Sequence, residues 1–294
     1  MKGSAVWSAL RPYVMILPAM AGIGVFVIYP VFYLFKLSLY RYNLLNPAMS
    51  RFIGLENYRM MLQKTDFYQS LANTFIYTIA IVVLTIGFAL LFALWINNKY
   101  NKKISALLQA GMFTPHIISI VSIALVWMLL MEPNYGLLNF VLRELGLPPS
   151  QWLQSSKTSL MSIIIVSLWH NVGYFTLIIV AALQSVPPSI YEAAALDNAK
   201  PYQVFFKLTL PMISPQLFFI LIIMTIGSFK IFDTVRIMTN GGPNNSTSTL
   251  VFHIYEYRSN HLGYASATGI VLMIIIAILT VIYFRMLAKR VHYQ

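Results

Sequence analysis

The chain contains no cysteine and very little charge: Asp and Glu together number 8 among 294 residues, and all four charged types make up only 10%. Without cysteine there are no disulfides, thiolate metal ligands or thiol nucleophiles. A soluble domain carries about 25% charged residues, so the shortage excludes an ordinary water-soluble globule. Enzymatic signatures are also missing. There is no Walker A pattern, H-E-x-x-H, G-x-S-x-G or cluster of carboxylates, hence no visible machinery for nucleotide hydrolysis or intramembrane proteolysis. No catalytic or metal-ligating residue is nominated. Nor do the apolar stretches carry the acidic residues that couple secondary transporters to protons or sodium; away from their ends, only His116 and His170 are ionisable there in that sense. An energy source is therefore expected on another chain, with an ATP-independent carrier or channel as the alternative.

What is present is hydrophobic, 59% of residues. Six stretches free of Asp, Glu, Lys and Arg, 13–35, 71–96, 104–131, 158–190, 208–229 and 259–284, match the roughly 20 residues that cross a bilayer as a helix. Blocks such as IVVLTIGFALLFALWI do not alternate in polarity, so a strand barrel is excluded and an all-α polytopic membrane protein is expected. The first stretch follows Lys2 and Arg11 and contains Ala19-Met20-Ala21, as a signal peptide does, but cleavage there leaves too short an apolar run, and a retained helix is expected. The chain divides into 1–70, the first helix with an outer loop, and 71–290, the transmembrane core; no loop is long enough for a soluble domain.

The net charge of +12 is scattered rather than gathered into a stripe, so it reads as membrane-flanking cations and not as a nucleic-acid surface. With the N-terminus inside, inner and outer segments hold ten Lys and Arg each. Density decides for N-in and C-in: the inner segments total 56 residues against 90, and the clusters Lys99, Lys102, Lys103 and Arg285, Lys289, Arg290 lie against span ends.

Residues 185–211 form the most structured polar segment. Ser189 and Glu192 have the S-x-x-E spacing of a capping box, Ala193, Ala194 and Ala195 favour helix, Asp197 leads to Asn198, suited to a left-handed stop, and Pro201 suits the first turn of a second helix that Pro211 closes. The result is a short helix along the cytoplasmic surface, either a docking element with a small-residue flank or a plain cap between spans.

These residues also resemble the EAA loop of binding-protein-dependent ABC importer permeases. Its pattern of Glu-Ala-Ala, Gly, Ile and Leu-Pro falls here on Glu192, Ala193, Ala194, Asn198, Leu208, Leu210 and Pro211, with Asn for Gly and Leu for Ile. The opening RPYVMILPAMAGIGVFVIYPVFYLFKLSLY, GLENY, LANTFIYT, TNGGPNNSTSTL and LGYASATGIVLMIIIAIL resemble the carbohydrate branch of that family, the MalF-like and glycerol-phosphate-like permeases. The resemblance implies a type I importer (MetI-like) core for a sugar, polyol or glycerol phosphate. It implies a heterodimer with a second permease, two ATPases that hold the ATP and magnesium, a solute-binding protein outside, and no cofactor on this chain. It implies that Ser189, Glu192, Ala193, Ala194, Asp197, Asn198, Leu208 and Pro211 couple to the ATPase, and that in the cytoplasmic membrane 185–211 lies on the inner, cytoplasmic side.

Polar side chains within spans tend to face a cavity or a partner helix. Ser167, His170, Asn171 and Tyr174 share one helical face, suited either to a sugar or to interhelical hydrogen bonding, and in the family this stretch lines the pathway. Ser228, Lys230 and Asp233 follow at the outer mouth, where Lys230 and Asp233 are spaced for an ion pair or for snorkelling. His116 after Pro115 is either a lining residue or, as is rather expected, a buried, satisfied histidine. Asn240, Gly241, Gly242 and Pro243 make an outer turn, a docking candidate for the binding protein or a simple connection.

Overall fold

The computed structural model describes residues 2–44, 46–99 and 102–287. The tail cations Lys289 and Arg290 lie outside the described residues, as do the side chains of Lys2, Arg11, Lys99 and Lys102. The chain packs as two compact units. One comprises the chain up to Lys64 with Ile254–Met273, the other Thr65–His253 with the chain from Ile274.

The first unit opens with α1 (Lys2–Ile23) and α2 (Tyr29–Ser38), joined without interruption by a π turn over Gly24–Ile28. The wide turn has a cause in Pro30. A proline ring collides with the carbonyl four residues back, and the Tyr29 amide bonding to Gly24, one residue further than in an α-helix, loosens that turn. A departure from the all-helical expectation follows: β1 (Tyr40–Arg41) pairs antiparallel with β2 (Arg51–Phe52), Tyr40 opposite Phe52 and Arg41 opposite Arg51. In α3 (Glu56–Gln63), buried Asn57 donates to the carbonyls of Ser38 and Tyr40 at 2.7 and 3.0 Å, fixing the strand to the helix.

The second unit is built on α4 (Thr65–Lys99), followed by α5 (Lys102–Ile117), α6 (Ile120–Leu130), α7 (Leu137–Glu144) and α8 (Ser159–Gln184). Then come α9 (Pro188–Leu196), α10 (Pro201–Val204), α11 (Leu210–Met212), α12 (Ser214–Phe229) and α13 (Asp233–Met238). The helices α14 (Leu250–Tyr257) and α15 (Leu262–Leu287) complete the chain. The core lies between α4, α8 and α12, where Ala89, Ala93, Ile163, Ile179 and Ile220 are fully buried. Small residues at 89 and 93, one turn apart, let the neighbouring backbone come close, the main source of helix adhesion in lipid, where apolar burial against solvent contributes nothing.

Among the described residues, five helical stretches are long and apolar enough to cross a membrane, and a sixth crossing exists if one bent pair counts as a span. That pair corrects the third predicted span, 104–131: α5 and α6 meet at 95° across Ile118 and Ser119, where Ser119 leaves helical geometry with ψ 130°. The fourth span ends at Gln184, inside the charge-free stretch that runs to 190 and in keeping with 185–211 as a separate segment, and Pro188 starts a new helix. The fifth begins at Ser214, and its apolar course continues to Met238.

Candidate functional site

The break between α5 and α6 brings their ends against α8. The His170 ring lies against the backbone at Ile118 and the Asn171 side chain, so a polar side chain of α8 faces the main chain that the break releases. Asn171 donates to the Ser167 carbonyl at 2.8 Å, and Tyr77 of α4 lies beside Ser167. Gly173 makes the approach possible: a Cβ there would fall 1.7 Å from the Met112 carbonyl oxygen of α5.

Around this junction lies a cavity of about 410 Å³, and all seven residues nominated for a solute pathway, Ser167, His170, Asn171, Tyr174, Ser228, Lys230 and Asp233, line it. Lys230 and Asp233 form no ion pair with each other, contrary to one reading of their spacing; Lys230 ends α12, Asp233 begins α13, and both are exposed. Sequence reasoning missed Tyr77, Thr234 and the part played by His116. The His116 ring stacks on Tyr174 with centroids 4.3 Å apart and planes 10° from parallel, and lies 5.0 Å from His170. Its expected satisfaction is incomplete, since Nδ1 is buried with no hydrogen-bond partner. The signal available in the sequence was Pro115, one residue before, with a lining role for His116 as the other alternative.

At the opposite end of the core, α9 runs from Pro188, so the Ser189–Glu192 capping box does not form. Pro188 takes the first turn, Pro187 is the cap, and neither Ser189 nor Glu192 makes a side-chain cap bond. The helix stops as expected. Asn198 is left-handed with φ 51°, Asn198 N–H donates to Ala195 and Ala199 N–H to Ala194, both through pairs near 3 Å, and Asp197 is the last residue before the turn. Ala194 faces inward while Glu192, Ala193 and Asp197 are exposed. Pro211 does not close the second helix. A π turn at Phe205–Thr209, which includes Leu208, precedes it as one precedes Pro30, and helix continues to Met212. Thr209 donates to the Tyr191 hydroxyl at 3.3 Å, tying this segment to α9. Leu196, Tyr202 and Phe206 project an apolar patch beside α9, with Leu196 85% exposed.

The loop at 239–249 is more than a connection. Buried Thr247 is hydrogen-bonded to the Thr239 hydroxyl at 2.7 Å and donates to the Gly242 carbonyl at 2.9 Å; Asn73 of α4 donates to the carbonyls of Asn245 and Ser248, and Ser159 meets Ser246. Gly241 has φ 80°, and a Cβ there would press 2.4 Å from the Phe252 ring, so glycine is required. Asn240, Asn244 and Asn245 remain exposed, while Gly242 and Pro243 are half-buried.

A bundle of apolar helices, one of them broken over a polar cavity, with a short surface helix at the far end of the core, defines a membrane permease. The chain belongs to the family described as binding-protein-dependent transport system inner membrane component, which its residues 85–293 match. It is 34% identical over 269 residues to the probable ABC transporter permease protein YurN of Bacillus subtilis, covering 90% of this chain and 91% of the relative. It is 31% identical over 274 residues to the trehalose/maltose transport system permease protein MalF of Thermococcus litoralis, covering 93% and 92%. To the sn-glycerol-3-phosphate transport system permease protein UgpA of Pectobacterium atrosepticum it is 33% identical over 296 residues, covering 98% and 97%. Its fold matches a chain of a bacterial alginate ABC transporter, solved with an alginate pentasaccharide-bound periplasmic protein, with a TM-score of 0.83, 23% identity, and coverage of 95% and 96%. The type I importer architecture expected from the Glu192–Pro211 spacing is thus present, and the chain is a membrane subunit of a binding-protein-dependent transport system.

Proposed function

We propose that this chain forms half of the pathway through which an ABC importer takes up a carbohydrate, and that the cavity at the α5–α6 break is its solute site. The observation that carries the reading is the convergence of Ser167, His170, Asn171, Tyr174, Ser228, Lys230 and Asp233 on one cavity beside a stacked aromatic pair. Rings present a face to sugar C–H groups while hydroxyl, amide and charged groups bond the sugar hydroxyls, the mixture that orients a polar solute in an apolar wall. The names of the trehalose/maltose and sn-glycerol-3-phosphate relatives support a sugar or sugar-phosphate cargo.

In this reading a second, homologous permease completes the pathway, and two cytoplasmic ATPases drive it. The helix α9 seats in an ATPase cleft: Ala193 lets the groove approach, Glu192 and Asp197 lie at its rim, and exposed Leu196, Tyr202 and Phe206 are covered on docking. Closure of the ATPase dimer around ATP pushes α9, and its tie to Thr209 passes the movement to α12. The ends of the chain and α9 are cytoplasmic; the loop at Asn240–Pro243, laced to α4, faces the solute-binding protein. ATP hydrolysis itself belongs to the partner. Purification of the tagged chain from native membranes in mild detergent tests the assembly. The expected result is a second multispan permease and two copies of a Walker-motif ATPase, with hydrolysis stimulated by solute-loaded binding protein. Recovery alone or as a homo-oligomer, under conditions preserving a control ABC complex, transfers the assignment to an ATP-independent carrier.

A further inference from the structure

The ten cations of the outer segments exceed what the positive-inside tendency explains, and only Lys230 among them reaches the solute cavity. Part of the excess is gathered in the first unit. Arg41 and Arg51 stand directly opposite on the β1–β2 ladder, and like charges so placed repel. Neither guanidinium has a carboxylate partner among the described residues. Beside them open two cavities that share Arg41, Tyr42, Asn260 and His261; the one of about 790 Å³ adds Arg51 and the one of about 290 Å³ adds Lys64. No Asp or Glu lines either. Lys64 is held in place, its Nζ donating to the Tyr257 hydroxyl at 3.0 Å and lying 4.3 and 4.9 Å from the ring centres of Tyr257 and Tyr264. Gly263 brings the start of α15 against this corner, since a Cβ there would meet the Tyr40 carbonyl oxygen at 2.0 Å.

The surroundings indicate the source of the missing anion. The cluster sits where one apolar span ends at Ser38 and another begins at Leu262, at the level of a membrane boundary. The same hairpin and the turn after it expose Leu44, Met49, Phe52 and Leu55, the last two 65% and 70% accessible. Unpaired cations among exposed apolar side chains match a layer in which phosphates lie above acyl chains. An acidic protein surface satisfies the charges but leaves the apolar groups unmatched. We infer that Arg41, Arg51 and Lys64 form a site for the phosphate of an anionic phospholipid, which bridges the two arginines by charge-assisted hydrogen bonds and steadies the hairpin against α15.

The test uses the complex purified with its partners and reconstituted in nanodiscs of mixed phosphatidylcholine and phosphatidylglycerol, with retained lipid counted by mass spectrometry. Wild type is expected to retain phosphatidylglycerol preferentially. Arg41→Gln with Arg51→Gln should lower that preference by about an order of magnitude, whereas Arg41→Lys with Arg51→Lys keeps most of it. Arg59→Gln, an outer cation that lines neither cavity, should leave it unchanged. Equal enrichment in wild type and the double glutamine variant overturns the site. So does stabilisation by millimolar inorganic phosphate in neutral nanodiscs that equals the effect of phosphatidylglycerol, which assigns it to a soluble anion. Loss of binding-protein-stimulated ATP hydrolysis with lipid enrichment intact also overturns it, and makes the hairpin a protein contact. Lipid retention is read without transport, so failure of the carbohydrate assignment leaves this result interpretable.

Discussion

Replacing Gly173 by alanine separates two opposed effects whose sizes are known. Glycine in a helix interior costs about 1 kcal/mol relative to alanine, so on helix propensity alone the change stabilises α8. Packing opposes it. The added Cβ would lie 1.7 Å from the Met112 carbonyl oxygen and 2.4 Å from its carbon, whereas real Cβ contacts hardly ever fall under 3.0 Å. Raising 1.7 to 3.0 Å requires α5 and α8 to part by at least 1.3 Å, and the obstacle is backbone, which cannot rotate aside. Overpacking of this kind costs about 1–3 kcal/mol or more, and in lipid no gain in apolar burial offsets it. A net loss of up to about 2 kcal/mol is expected. Function should suffer more than stability. Tyr174 is the next residue and His116 lies one helical turn beyond Met112, so the parting acts directly on a stack of 4.3 Å. Fluorescence-detected size exclusion after heating, with solute uptake in proteoliposomes, measures both. Gly87→Ala in α4 is the control, because a Cβ there meets nothing within 4 Å. A Gly173→Ala protein with the melting temperature and uptake of wild type refutes the packing argument.

Ala193→Trp should abolish coupled uptake while the permease pair still forms, as measured by ATP hydrolysis and co-purification; normal uptake counts against docking through α9. Asn198→Gly should be silent, but Asn198→Val, forcing a β-branched residue to φ 51°, should cost about 1–2 kcal/mol and loosen the end of α9, seen as faster amide exchange at Ala199. Thr247→Val leaves the Gly242 carbonyl without its partner and the Thr239 hydroxyl with the Val235 carbonyl alone, and should lower stability by about 1–3 kcal/mol, measured as thermal melting, with Ser246→Ala milder.

Much of the segment 185–211 was legible in the order of residues. Asn198 is a left-handed stop because few other side chains tolerate that backbone, and Pro201 begins a helix because its missing N–H is not needed there. The capping box was misread because Ser189 and Glu192 have the right spacing, yet Pro188 enters the helix one residue earlier and leaves Ser189 inside it. In the same way Pro211 looked like a stop, and the π turn before it let the helix continue. The polar face from Ser167 to Tyr174 could be written down from a spacing of three and four residues, since one helix determines it. Its meeting with Ser228, Lys230 and Asp233 depends on other helices.

The sequence by itself determined that the chain crosses a membrane in apolar helices, and that a short helix follows the fourth. The bilayer and the backbone act on each segment separately, so composition and local spacing suffice. Only the tertiary structure decided where the third span breaks, that His170 and His116 face each other across the break, that Gly173 admits Met112, and that Arg41 confronts Arg51. Each of these is a contact between segments separated along the chain. Its energy is settled by fit at a few tenths of an ångström, which no local pattern of residue types encodes.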